Sequence, residues 1–99
     1  MTYASRVDAN QGDIVDRLRE AGWSVLVTSR IRGGFPDLLC GVPGFCCLVE
    51  VKDGSKPPSA RKLSKDEQQF AEEWTGPYIV ALSPEDALTK LEAERTKTC

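Results

Sequence analysis

The chain has 99 residues, 40% of them hydrophobic, with a formal net charge of −2 and no histidine. This length suits one compact domain, and no apolar run of the roughly 18 residues needed to cross a membrane is present. The absence of histidine excludes Ser-His and Cys-His catalysis, so any acid–base chemistry falls to carboxylates, lysine or a metal-bound water. The N-terminus lacks an apolar signal region, which predicts a cytoplasmic protein, in a bacterial host cell if the gene belongs to a phage.

The first helix is predicted over residues 8–22, because apolar and small side chains recur at helical spacing on one face. That face consists of Gln11, Ile14, Val15, Leu18 and Ala21. Asp8 is a suitable N-cap with Gln11 in the capping-box relation. The preceding residues 1–7 read as a flexible lead-in.

Three strands follow, predicted from Trp23 to Ser29, from Pro36 to Val42 and from Phe45 to Lys52. The second and third are separated only by Pro43-Gly44, two residues that suit the centre of a tight turn. We therefore expect a hairpin.

A basic, proline-containing loop leads to a second helix, with Ser64 as N-cap and Glu67 at the capping-box position. Its core-facing residues are predicted to be Leu63, Phe70, Ala71 and Trp74. A fourth strand over residues 76–82 and a third helix beginning at Pro84 complete the chain, and residues 95–99 are expected to fray.

The element order α-β-β-β-α-β-α predicts an α/β fold with a mixed sheet flanked by helices and an extra C-terminal helix. A helix joins the third and fourth strands, so we expect these two strands to be parallel.

The four cysteines lie at Cys40, Cys46, Cys47 and Cys99. Neighbouring residues on a strand point to opposite faces, and the chain has no CxxC pair. We therefore interpret Cys40, Cys46 and Cys47 as small buried side chains in a reducing compartment.

Pairing across Pro43-Gly44 places Asp37 opposite Glu50, with Cβ atoms about 4.5–5.5 Å apart. Lys52 lies two residues beyond Glu50 and shares its face. Two opposed carboxylates repel one another, so the site needs a shared proton, an ion pair with lysine or a divalent cation. The residues alone leave open a structural ion network and a Mg²⁺ or Mn²⁺ site.

"FPD", twelve intervening residues and "EVK" resemble the signature of the PD-(D/E)XK nuclease superfamily. The element order is similar to the restriction-endonuclease-like core of that superfamily. Within it, the chain most resembles small VRR-NUC-type nucleases of phages and prophages, which are similar to Holliday-junction resolvases. The resemblance covers about residues 8–92 and is carried by "GGFPDLL", "EVKDG" and "LSKDEQ".

The resemblance implies that Asp37, Glu50 and the Val51 carbonyl hold Mg²⁺ or Mn²⁺ and that Lys52 is the catalytic lysine. The family often adds an acid from the first helix, where this chain offers Asp8 as a ligand and Gln11 as a catalytic group. Each of these two residues also has a purely helix-capping interpretation. Gln68 matches a glutamine beside the family's active site.

The net charge of −2 is not typical of a nucleic-acid-binding protein, but the segment from Arg30 to Lys65 holds seven basic and three acidic residues. Either a phosphate-binding surface or an ordinary solvated mixture of charges would produce this local excess. The candidate phosphate-binding residues of this segment are Arg30, Arg32, Lys56, Arg61, Lys62 and Lys65. Together these features predict a metal-dependent endonuclease acting on branched DNA as a homodimer, because two cuts need two sites. The alternatives are another nuclease of the superfamily, directed at flaps, restriction-like sites or RNA, and a non-catalytic DNA-binding module.

Overall fold

A computed structural model describes residues 9–97. The elements, in chain order, are α1 (Ala9–Glu20), β1 (Ser24–Val27), β2 (Leu38–Val42), β3 (Phe45–Val51), a 3₁₀ turn (Pro58–Arg61), α2 (Lys65–Glu73), β4 (Tyr78–Ala81) and α3 (Pro84–Lys97). Within this part of the chain no helix is long and apolar enough to cross a membrane.

The four strands form one mixed sheet in the order β1-β2-β3-β4. The first three are antiparallel neighbours, and β4 returns parallel to β3 after α2. The predicted α/β class and the parallel β3–β4 pair are therefore confirmed.

The β2–β3 hairpin has the predicted register, with Val42 opposite Phe45 and Leu38 opposite Val49. Gly44 occupies the turn at φ +80°, a backbone conformation that side-chain-bearing residues rarely adopt. No extra residue shifts the pairing between these positions, so Asp37 and Glu50 come next in register at the open end.

One face of the sheet carries the core, against which α1 and α3 pack. Ile14, Leu18 and Leu91 supply fully buried helix side chains that meet Leu38 and Val49 of the sheet. The predicted face of α1 is buried except for Ala21, which lies beyond the helix end and is exposed.

The second helix lies on the opposite face, and the prediction that it contributes to the core is wrong. Within α2 no residue is buried, and Trp74 beyond its end is 43% exposed. Phe70 instead packs on Phe35, Trp74 and Tyr78, with ring centroids 5.3, 5.6 and 6.3 Å away. Phe70 and Trp74 therefore belong to this aromatic cluster and not to the hydrophobic core.

Two further expectations are corrected. Cys40 and Cys47 are buried as predicted, but Cys46 points to the sparsely covered face and is exposed. The third helix continues to Lys97, past the expected start of fraying at Arg95. Residues 1–7, Asp8 and Cys99 lie outside the described part of the chain.

Candidate active site

Asp37 and Glu50 meet at the open end of the hairpin, on the sheet face away from the core. Oδ2 of Asp37 accepts a hydrogen bond from the backbone N–H of Val51 at 2.9 Å. The Glu50 side chain is only 3% exposed. The hairpin thus places two carboxylates side by side at the ends of two central strands.

Burial and mutual repulsion disfavour the charged forms of this pair. Burial raises the pKa of Glu50 to about 9, with further contributions from the neighbouring Asp37 and Glu67 carboxylates. Burial also raises the pKa of Asp37, although the hydrogen bond from Val51 opposes the shift. A proton or a cation is therefore strongly favoured between these groups.

Lys52 reaches towards the same cluster. Its Nζ lies 2.8 Å from Oε1 of Glu67 and 3.6 Å from Oε2 of Glu50. Burial alone lowers the pKa of Lys52, but the hydrogen bond and charge of Glu67 more than compensate, and the pKa is raised. Lys52 is therefore an ammonium beside the two carboxylates.

Glu67 is a member of this cluster that the sequence interpretation assigned only to helix capping. Burial acts to raise the pKa of Glu67, but hydrogen bonds from Lys52 and from the Ser64 backbone lower it below its ordinary value. The confirmed capping box fixes the carboxylate, since Ser64 N–H donates to Oε1 at 2.8 Å. The only sequence feature that could have indicated this role is the position of Glu67, an acid in the first turn of the helix that follows "EVK".

Gly34 brings the loop before Asp37 against the first turn of α2. It has φ +79°, and a Cβ there would overlap the backbone carbonyl of Asp66 and lie 2.7 Å from the Glu67 nitrogen. Only glycine allows this approach. Gly34, the second glycine of "GGFPD", therefore allows α2 to pack beside the site.

Asn10 is a second residue missed from the sequence. Its side-chain amide donates to the backbone carbonyls of Lys52 at 2.9 Å and Leu82 at 3.1 Å. These bonds join the first turn of α1 to the ends of β3 and β4. A polar side chain beside the buried face of α1 was the only sequence signal for this anchor.

The donor set fits a hard divalent cation in part. Mg²⁺ is commonly held by one or two carboxylates and retains several water ligands, which matches Asp37 and Glu50. Among residues 9–97 no cluster of three or more histidine, cysteine, aspartate or glutamate side chains forms a ready-made metal cage. Glu67 is the third nearby carboxylate, but Lys52 occupies its Oε1.

The other predicted site residues lie at various distances from this cluster. Gln68 is exposed, and its amide donates to Oε2 of Glu72 at 3.3 Å. Gln11 is 6% exposed and lines a groove with Thr28 and Arg30. Asp8 lies outside the described residues, and the proposed ligand Val51 is fixed by its bond to Asp37 and its pairing with Ala81.

The basic residues flank the cluster on two segments of the chain. Arg30 and Arg32 lie on the loop that leads to Asp37, and both are exposed. The other four follow Lys52 in the chain: Lys56 and Lys62 are exposed on the loop, Arg61 is half-buried in the 3₁₀ turn, and Lys65 is exposed at the first position of α2. Gly34, on the first of these segments, contacts the first turn of α2, where Lys65 lies.

Comparison of the chain with protein-family models, with curated proteins and with solved structures finds no match.

Proposed function

We propose that the protein is a metal-dependent endonuclease of the PD-(D/E)XK type that hydrolyses DNA phosphodiesters. The observation that carries the proposal is the convergence of Asp37, Glu50 and Lys52 at the end of one hairpin. Burial raises the pKa of Glu50 to about 9, so ionising this carboxylate in the absence of a cation is costly. A bound cation would compensate for this cost by pairing with the Asp37 and Glu50 carboxylates.

Asp37 and Glu50 would hold the cation, together with the Val51 carbonyl. A bound Mg²⁺ or Mn²⁺ supplies Lewis-acid polarisation of a phosphate oxygen and a more acidic water. Lys52 has a raised pKa and stays protonated, so its role is to donate hydrogen bonds to the phosphate or to the attacking water. This favours charge stabilisation over proton abstraction by the lysine.

The substrate is proposed to be branched DNA. Lys56, Lys62, Lys65 and the two arginines near Asp37 offer charges for phosphates on either side of the cut. The described residues include no helix whose exposed face is built to read bases, which favours selection by DNA shape. A flap, a restriction-like site or RNA would use the same chemistry and is distinguished by substrate preference.

A homodimer would supply the two sites needed to cut both strands of a four-way junction. An exposed apolar patch on and beside the edge strand β1 supports self-association. It consists of Leu26, Val27 and Ile31, which are 60%, 48% and 52% exposed. Light scattering at the working concentration tests this point. A monomer that cuts would overturn the paired-cut model without affecting the chemistry.

The decisive experiment is cleavage of labelled four-way, flap and linear DNA, and of RNA, with Mg²⁺, Mn²⁺ or a chelator. We expect cation-dependent cutting that Asp37→Ala and Lys52→Ala abolish and that Asp53→Ala and Lys97→Ala retain. Cutting that survives Asp37→Ala and Lys52→Ala would overturn the catalytic assignment. DNA binding without any cutting or Mn²⁺ binding would favour the non-catalytic module.

A further inference from the structure

The capping box of α2 and the ammonium of Lys52 share one oxygen atom. Oε1 of Glu67 accepts from the Ser64 backbone N–H and from Nζ of Lys52, each at 2.8 Å. The Ser64 hydroxyl in turn accepts from the Glu67 backbone N–H at 3.2 Å. The carboxylate is therefore held by its own helix while it holds a lysine from another element.

We propose that this capping box positions Lys52, so that Ser64 and Glu67 are positioning residues of the candidate nuclease site. The inference rests on the proposed function for what the aligned ammonium does. It adds to that function the residues that fix the ammonium, neither of which touches the phosphate.

The start of α3 offers a capped helix for comparison, in which the capping acid pairs with a lysine of its own helix. Ser83 Oγ accepts from the Asp86 backbone N–H at 3.1 Å, and Asp86 pairs at 2.9 Å with Lys90, four residues along the same helix. In α2 the corresponding acid instead pairs with a lysine fifteen residues earlier, at the end of a central strand. Asp86 and Lys90 also contact the end of β4, since Asp86 Oδ2 accepts from the Leu82 backbone N–H at 2.9 Å and Lys90 Nζ donates to the Val80 carbonyl at 2.7 Å. What distinguishes α2 is that its capping acid holds Lys52, whose Nζ also lies 3.6 Å from Glu50 Oε2.

An anchored helix is needed for this arrangement. A lysine side chain has many rotamers to lose when its ammonium is held in one place, and a mobile partner would not confine it. Gly34 lets the loop before Asp37 touch the Asp66–Glu67 backbone, and Phe70 packs on Phe35 from that loop. The loop that leads to Asp37 therefore also fixes the position of α2, and with it Glu67, relative to the sheet.

The position of the ammonium follows from these contacts. Lys52 Nζ lies between Glu67 Oε1 at 2.8 Å and Glu50 Oε2 at 3.6 Å, and the Lys52 side chain is 19% exposed. Without Glu67 the carboxyl group left beside the ammonium would be Glu50, one of the two candidate cation ligands. Glu67 therefore keeps the lysine beside the cation position without competing for the same carboxylate.

The test compares Glu67→Ala, Glu67→Gln and Ser64→Ala with the matched capping variants Ser83→Ala and Asp86→Ala. Proton–nitrogen correlation NMR of lysine ammonium groups is recorded on the metal-free protein, where a held ammonium exchanges slowly with water. Mn²⁺ affinity by calorimetry and kcat and KM on the best DNA substrate follow. Unfolding curves establish that each variant is folded. If Glu67→Ala does not fold, the comparison is made with Glu67→Gln.

We expect a protected Lys52 signal in the wild type and in both α3 variants, and its loss in Glu67→Ala. In that variant kcat should fall at least about tenfold, with KM and Mn²⁺ affinity within about twofold of wild type. Glu67→Gln keeps an acceptor oxygen and should lie between wild type and alanine, with Ser64→Ala close to it.

Two results would overturn the proposal. A protected Lys52 ammonium in Glu67→Ala would show that other groups position it. A loss of Mn²⁺ affinity as large as that of Asp37→Ala would make Glu67 a cation ligand. A wild-type protein that cuts no nucleic acid would refute the proposed function, while the NMR comparison would still decide whether Glu67 positions Lys52.

Discussion

The Asp37 carboxylate accepts a hydrogen bond from the Val51 backbone at 2.9 Å, which ties the residue before β2 to the last residue of β3. Asp37 therefore has a structural contact as well as a proposed ligand role, and substitutions can separate the two. Asparagine keeps an acceptor oxygen for Val51 but removes the charge. Alanine removes both.

We expect Asp37→Asn to lose Mn²⁺ binding and cleavage while its free energy of unfolding stays within about 1 kcal/mol of wild type. Asp37→Ala should lose cleavage and also about 1–3 kcal/mol of stability, because the Val51 N–H is left without this acceptor. Calorimetry and urea unfolding measure the two effects. Equal stability losses in both variants would contradict the structural contact, and Asp53→Asn is the control.

The burial of Glu50 predicts a pH-dependent stability in the absence of metal. Its pKa is about 9 in the folded protein against an ordinary 4.5, so the folded state binds the proton more tightly. The stabilising contribution is complete below pH 4.5 and is lost as the pH rises towards 9. Between these values the loss approaches about 1.4 kcal/mol per pH unit from this group.

Glu50→Gln should remove this slope, because the amide is neutral at every pH. Urea unfolding in a chelator from pH 5 to 9 should therefore show the variant gaining on wild type as the pH rises. Asp37 and Glu67 remain in both proteins: the raised pKa of Asp37 adds a slope of the same sign, and the lowered pKa of Glu67, to which Glu50 contributes, adds one of the opposite sign. Parallel curves would contradict the assignment, and Glu20→Gln, at a side chain 75% exposed, is the control.

Gly34 and Gly33 form a matched pair for testing the docking of α2. Both have positive φ, +79° and +83°, but only at Gly34 would a Cβ meet another element. Gly33→Ala should cost about 1 kcal/mol of stability from backbone strain alone. Gly34→Ala should cost clearly more and should also lower kcat, because the clash with Asp66 displaces Glu67.

Chemical denaturation and single-turnover cleavage of the two variants check this expectation. If Gly34→Ala cuts DNA at the rate of Gly33→Ala, the position of α2 has no effect on the site. An intermediate step is to measure fluorescence of Trp74, which stacks on Phe70 and should report a shift of the helix.

The hairpin could be predicted because its information is local. Period-two alternation and a two-residue turn determine which residues oppose each other on the two strands. Counting outwards from the turn is therefore enough to predict that Asp37, Glu50 and Lys52 share one face. The Ser64–Glu67 capping box was also local, since both partners lie within one helical turn.

The failures concern contacts between elements. A helical stripe of apolar residues cannot say which layer covers it, so Phe70 and Trp74 were assigned to a core that α1 and α3 already fill. Asn10 and Glu67 were missed because their partners are 42 and 15 residues away in sequence. The contact of Gly34 with α2 could not be predicted, because a close approach of two backbones leaves no pattern in the sequence.

The basic loops predict the salt dependence of DNA binding. Each lysine that neutralises a phosphate contributes about 0.9 to the slope of log K against log salt. Lys62→Ala with Lys65→Ala should therefore weaken binding to four-way and linear DNA alike and reduce the slope by up to about 1.8. Arg95→Ala with Lys97→Ala removes the same charge from the far end of α3 and should leave the slope unchanged. Fluorescence anisotropy in chelator, from low to moderate salt, separates binding from cutting. Equal slopes in the two double variants would show that Lys62 and Lys65 do not contact the phosphates.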